Sequence, residues 1–136
     1  MAEFVLTNAH LSVATVDLSD HVRQLTLNDG ADAPESTAMS ATYRARLAGG
    51  LKDWSVSVEF NQDYAAGEVD VTLAALVGTS VALVIRADAG AVATTNPEWT
   101  GNAILTSYQP MGGSVGDAHV APATFEGNGA LARATA

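Results

Sequence analysis

LKDWSVSVEFNQDYAAGEVDVTLAALVGTSVALVIR, residues 51–86, decides the fold. Its first third alternates strictly. Trp54, Val56, Val58 and Phe60 fall on one side, and Asp53, Ser55, Ser57 and Glu59 on the other. That is the period-two signature of a strand with one dry face. Ten residues at about 3.3 Å each span roughly 33 Å. Asn61, Gln62 and Asp63 then turn the chain. Over residues 68–77, Val69, Leu73 and Leu76 follow the i, i+4, i+7 spacing of a helix with one apolar face. Glu68 and Asp70 occupy its first turn, where carboxylates complement the helix dipole, and Gly78 is placed to end it. Residues 81–87 alternate again and read as a strand.

Outward from this unit the pattern stays β-rich. Residues 9–17 read as one strand, with Leu11 and Val13 on one face and Ala14 and Val16 on the other. Asp17 and Asp20 bracket a turn in which carboxylates cap backbone donors. Residues 21–27 read as a second strand, expected to form an antiparallel hairpin with the first. Residues 88–97 form a turn region. Residues 99–109 form a strand with Ile104 and Tyr108 on one face. Residues 118–126 form another, in which Pro122 lacks a ladder donor and argues for an edge or a bulge. Gly127-Asn128-Gly129 signals a tight hairpin to a last short strand, residues 131–135. The count is about seven strands and one helix in a single domain over residues 1–136: a mainly β sandwich or barrel with one flanking helix.

Residues 28–50, NDGADAPESTAMSATYRARLAGG, interrupt the pattern. A connection of this length exceeds the usual 4–6 residues or so, and such connections are commonly functional. It begins acidic with Asp29, Asp32 and Glu35 and turns basic with Arg44, Arg46 and then Lys52. Three of the chain's six basic residues lie within the nine positions 44–52. Together with Tyr43 they make residues 28–50 a candidate arm that orders against another subunit.

Composition narrows the function. The chain has 136 residues, 48% of them hydrophobic, enough for one core. A net charge of −9 argues against binding nucleic acid by phosphate neutralisation, yet suits a surface that nucleic acid passes without sticking. The absence of cysteine excludes disulfides, thiolate metal sites and a cysteine nucleophile. The start MAEFVLTNAHL has neither the basic opening nor the apolar core of a signal peptide. No apolar run reaches membrane-spanning length, and no membrane binding is expected.

Catalytic and ligand signatures are missing. His10, His21 and His119 stand in no metal-ligand spacing and read as surface or strand-end residues. Asp29 and Asp32 begin like a calcium loop, but position 40, the twelfth of such a loop, is Ser rather than Glu. Gly49-Gly50 and Gly112-Gly113 lack the Lys of a phosphate loop. No Ser sits in a nucleophile elbow. Trp54 and Trp99 suit a core or an interface better than a sugar platform. The residues point to no enzyme, no metal and no cofactor.

VDLSDHV (residues 16–22), LKDWSVSVEFNQDYAAG (51–67), VTLAALVGTSVALVIR (71–86), NPEWTGNAILTSYQP (96–110) and GDAHVAPATFEGNGALARAT (116–135) together resemble the major tail tube proteins of long-tailed, siphovirus-like bacteriophages. Each piece is weak by itself; their order and spacing are the specific part. The resemblance implies a β-sandwich-like fold with one flanking helix. It implies hexameric rings stacked into a hollow tube that conducts double-stranded DNA without binding it specifically. It implies a place in the virion tail after synthesis in the host cytoplasm, beside tape-measure, tail-terminator and distal-tail proteins. By position in the fold, residues 28–50 would contact the neighbouring ring. Asp53, Ser55, Ser57 and Glu59 would face the lumen or a neighbouring subunit. Pro122 departs from a strict match and puts the register of the lumen-lining strands in question. Isolated surface ion pairs contribute about 0–1 kcal/mol, so cations in the arm would set register while apolar burial supplies the stability. The other readings are a secretion-system tube protein, a capsid decoration protein, or a monomeric β-sandwich binding module with Trp54 and Trp99 as its platform.

Overall fold

The computed structural model describes residues 3–136. Eight antiparallel strands form one sheet: β1 (His10–Val13), β2 (Val16–Asp17), β3 (Val22–Ala31), β4 (Lys52–Asn61), β5 (Ser80–Arg86), β6 (Glu98–Tyr108), β7 (Val120–Gly127) and β8 (Ala132–Ala134). The one α-helix among the described residues, α1 (Val69–Ala74), lies between β4 and β5 in the chain. The sheet runs β2-β1-β5-β6-β7-β4-β3, with β8 also on β6. No helix among the described residues is long and apolar enough to cross a membrane.

The alternation in β4 is realised in full. Trp54, Val56, Val58 and Phe60 are buried, and none of Asp53, Ser55, Ser57 and Glu59 is. Across the β4–β7 ladder Val56, Val58 and Phe60 face Phe125, Ala123 and Ala121. Large side chains thus meet small ones, which lets the layer close without voids. Leu11 and Val13 from β1, Leu83 and Ile85 from β5, and Leu105 from β6 complete the core. Burying each such side chain contributes about 1.5–3 kcal/mol. The sheet curls far enough that Leu25 and Leu27 of β3 share a cleft with Ile85 and Trp99 from the other side. The end strands β2 and β3 do not pair with each other, so a seam stays open.

Trp54 explains two glycines. A Cβ on Gly127 would lie 2.5 Å from the indole Nε1, and one on Gly101 would lie 2.8 Å from Cζ2. The indole N–H donates to the Gly129 carbonyl at 3.0 Å. The ring therefore occupies the space that side chains on β6 and β7 would take.

Several expectations need correction. Residues 9–17 are two strands, because Ala14 and Thr15 take positive φ (49° and 70°) and turn β1 onto β2. With one edge of β1 on β2 and the other on β5, the expected hairpin with residues 21–27 cannot form, and β3 pairs with β4 instead. Helix α1 stops at Ala74, earlier than expected. The Gly78 N–H donates to the Leu105 carbonyl and β5 starts at Ser80, which draws the chain into the sheet. Ile104 and Tyr108 do not share a face. A register shift between Leu105 and Ser107 inserts one residue and reverses the parity. Tyr108 then lies opposite buried Ala123, and Ile104 opposite exposed Glu126. Pro122 is at neither an edge nor a bulge: β7 lies between β4 and β6 with unbroken register through it. Its carbonyl accepts the Gln109 N–H, so its missing donor also points to where β6 has just ended, and little of the ladder is lost. The Gly127-Asn128-Gly129 turn makes no β7–β8 hairpin. Both strands pair with the same strand, β6, one after the other.

Candidate assembly surfaces

Strands β3 and β4 form a ribbon from Val22 opposite Phe60 to Ala31 opposite Lys52, in continuous register from Gln24 opposite Glu59 onward after a shift between Val22 and Gln24. Asp29 and Lys52 therefore sit on strands rather than in a loop. Beyond Ala31 the ribbon continues as an irregular arm. The Asp32 N–H donates to the Leu51 carbonyl, Leu47 to Pro34, and Ser36 to Ala45, while Glu35 and Arg46 form an antiparallel bridge. Gly50 permits the crossing at the base, where a Cβ would lie 2.2 Å from the Asp32 carbonyl oxygen. Every residue from 28 to 49 is exposed, so the arm leaves the body where the core ends. Its outer half carries Met39, 97% exposed, and Tyr43, 87% exposed. Arg44 lies 3.9 Å from Glu35. Among the described residues Arg46 and Lys52 make no ion pair.

The opposite end of the ribbon is acidic. His21 closes the 3-10 turn Ser19–His21 just before β3, and its Nε2 lies 2.6 Å from Glu68 Oε2. Asp63 and Asp20 oxygens each lie 3.7 Å from the same nitrogen. Glu68 is the N-cap residue of α1, yet its carboxylate serves His21 and not the helix's own N–H groups. Asp70 likewise accepts the Tyr108 hydroxyl at 2.8 Å. Asp20, His21 and Glu68 bring ligand-type atoms within 4.8 Å of one another, a set that sequence spacing hides because Glu68 lies 47 positions from His21. The short His21–Glu68 contact already satisfies the ring nitrogen. Asp17 caps as expected: it accepts the Ser19 side-chain hydroxyl and then its backbone N–H, which hold the carboxyl below its usual range.

The loop between β6 and β7 is fixed to this acidic end. Gln62 Nε2 and the Tyr64 hydroxyl both donate to the Pro110 carbonyl at 2.8 Å. The Tyr64 hydroxyl also meets His119 Nε2 at 2.8 Å. The loop encloses a cleft of about 300 Å³ lined by Met111, Val115, Asp117 and His119. Burial pushes the nearby Tyr108 phenol up to about 12; the Gln62 amide opposes this and the Asp70 carboxylate adds to it.

The outward sheet face is polar across three strands. Ser55 lies between Asn28 and Glu126, Ser57 between Thr26 and Thr124, and Glu59 between Gln24 and Pro122. Asp53 starts this row, and its Oδ1 accepts the Trp54 N–H. Arg23 lies 3.7 Å from Glu59. The structure thus brings Asp53, Ser55, Ser57 and Glu59 onto one face, while Asp32, Glu35, Tyr43, Arg44 and Arg46 belong to the arm. The three histidines have separate partners: Ser19 for His10, Glu68 for His21, Tyr64 for His119. Trp54 is 4% exposed and cannot join Trp99 in a ligand platform. Trp99 lines the seam beside Leu6 and Leu27, with the Arg133 guanidinium 5.9 Å from its ring centre.

Solved structures share this fold. A chain from the virion of a native gene transfer agent particle superposes with a TM-score of 0.73 at 16% identity, over 93% of this chain and 95% of that one. A chain from the tail of an empty gene transfer agent particle with C6 symmetry superposes with a TM-score of 0.65 at 16% identity, over 82% and 81%. No family model and no curated protein sequence matches the chain.

Proposed function

We propose that the chain is the tube subunit of a phage-like tail: a structural, non-catalytic protein that forms six-membered rings stacked into a conduit for double-stranded DNA. The observation that carries the reading is the fold shared, along nearly the whole chain, with components of a virion and of a six-fold tail. The surfaces agree with it. The arm is exposed along its length and exceeds what a monomer needs. Strand β3 has a free edge of ten residues, a liability in isolation that lateral pairing around a ring removes. The polar row from Asp53 to Glu59 and the net charge of −9 suit a wall that repels DNA and does not trap it. Tape-measure, terminator and distal-tail proteins would be its partners at the tube's ends and within it.

Electron microscopy of the concentrated protein, alone and seeded with tail fragments, tests this reading. Hollow tubes with six-fold end views are expected. A chain that stays monomeric in both preparations refutes it.

A further inference from the structure

We propose that the cleft between β6 and β7 is the seat for the arm tip of a second copy, so that successive rings engage head to tail. The inference rests on the stacked-ring reading and adds the receiving surface. Its basis is the polarity of the β3–β4 ribbon. The arm leaves one end, at Ala31 and Lys52, while His21, Asp63 and the β6–β7 loop gather at the other, roughly 33 Å away. An arm therefore cannot reach its own chain's cleft by a local movement, but copies placed end to end bring the two together.

The chemistry of the two ends matches. The arm tip presents Met39 and Tyr43 with Arg44 and Arg46 beside them. The cleft presents Met111, 78% exposed, and the fully exposed Val115, with Asp117 in its wall and Asp20, Asp63 and Glu68 at the same end. Residues 61–80 and 109–119, which build that end, contain no Lys or Arg. Apolar groups thus meet apolar groups, and cations meet carboxylates. Reversed stacking would place arm against arm and carboxylate against carboxylate, so the same charges fix the direction of growth. A contact between two different surfaces repeats without closing, as an open tube requires.

The absence of cysteine allows a direct test. In tubes of the Tyr43→Cys/Val115→Cys variant, mild oxidation is expected to give a ladder of trimers and longer species, because each subunit bonds once above and once below. The single variants, Tyr43→Cys and Val115→Cys, are expected to stay monomeric, because each cysteine then faces the other position's native side chain. A charge-swap series reads the same contact if the double variant assembles poorly. Arg44→Glu with Arg46→Glu is expected to lower tube yield by about tenfold or more. Adding Asp20→Lys and Asp117→Lys to that chain is expected to restore it. Tubes that form without a ladder, or a charge-reversed arm that stacks like wild type, overturn the inference and leave the tube reading standing. Failure of the wild-type chain to form rings or tubes when seeded overturns the tube reading, and this inference with it.

Discussion

The body and the arm of this molecule obey different rules. In the body, each strand that buries a face finds its partner within the chain. Phe60 and Phe125 are fully buried, Trp54 nests on Gly101 and Gly127, and α1 is fastened by Val69, Leu73 and the Tyr108–Asp70 bond. In the arm, residues 28–49 are all exposed, and its large apolar side chains touch no core. The arm keeps its shape by a few backbone bonds open to water. On the proposed reading stability resides in the body and assembly in the arm, and mutations should separate the two.

The largest effect should come from replacing residues 33–49 with a two-residue Asn-Gly turn. Tubes should be lost entirely, while the unfolding free energy from urea titration stays within about 0.5 kcal/mol of wild type, as for other surface changes. An equal loss of stability would show that the arm braces the body. Next is Phe60→Ala, which should cost about 3–5 kcal/mol by urea titration, because it empties the space opposite Ala121. Gly127→Ala should cost about 1–3 kcal/mol by forcing Trp54 from its seat, with a matching change in tryptophan fluorescence. An unchanged emission spectrum would remove the packing argument for that glycine.

Smaller effects sharpen the same contrast. The folded Tyr108 phenol ionises at about 12, above the ordinary 10.0, because burial disfavours the phenolate. A group raised in the folded state adds stability that is complete below pH 10.0 and is lost as pH climbs through about 12. Ultraviolet titration should therefore show a late ionisation step that Tyr108→Phe abolishes. The smallest change is Thr15→Gly. A β-branched residue at φ 70° is strained, and glycine there should add about 0.4–1 kcal/mol without altering assembly.

Much of the body was legible because its signal is local. Strict alternation over Trp54, Val56, Val58 and Phe60 identified β4 and its dry face, and the spacing of Val69 and Leu73 identified α1. What sequence hid was partner choice. Nothing local says that β3 takes β4, since that depends on the turn at Ala14 and Thr15 occupying an edge of β1. One extra residue near Thr106 was enough to send Tyr108 inward. Gly101 and Gly127 carried a usable signal, as glycines inside strands mark the close approach of another group, here Trp54. In the candidate surfaces, the length and charge of residues 28–50 pointed to the arm. The acidic end was out of reach because Asp20, His21, Asp63 and Glu68 meet only through the fold.

Hydrogen exchange on matched samples of monomer and assembled tube tests the central claim most directly. Amides in residues 32–51 should exchange fast in the monomer, like other water-exposed backbone, and become strongly protected in the tube, together with those of residues 109–119. The core amides of β4 and β7 should be slow in both. An arm that exchanges equally fast in monomer and tube would contradict the claim that it exists to be covered by another copy of the chain.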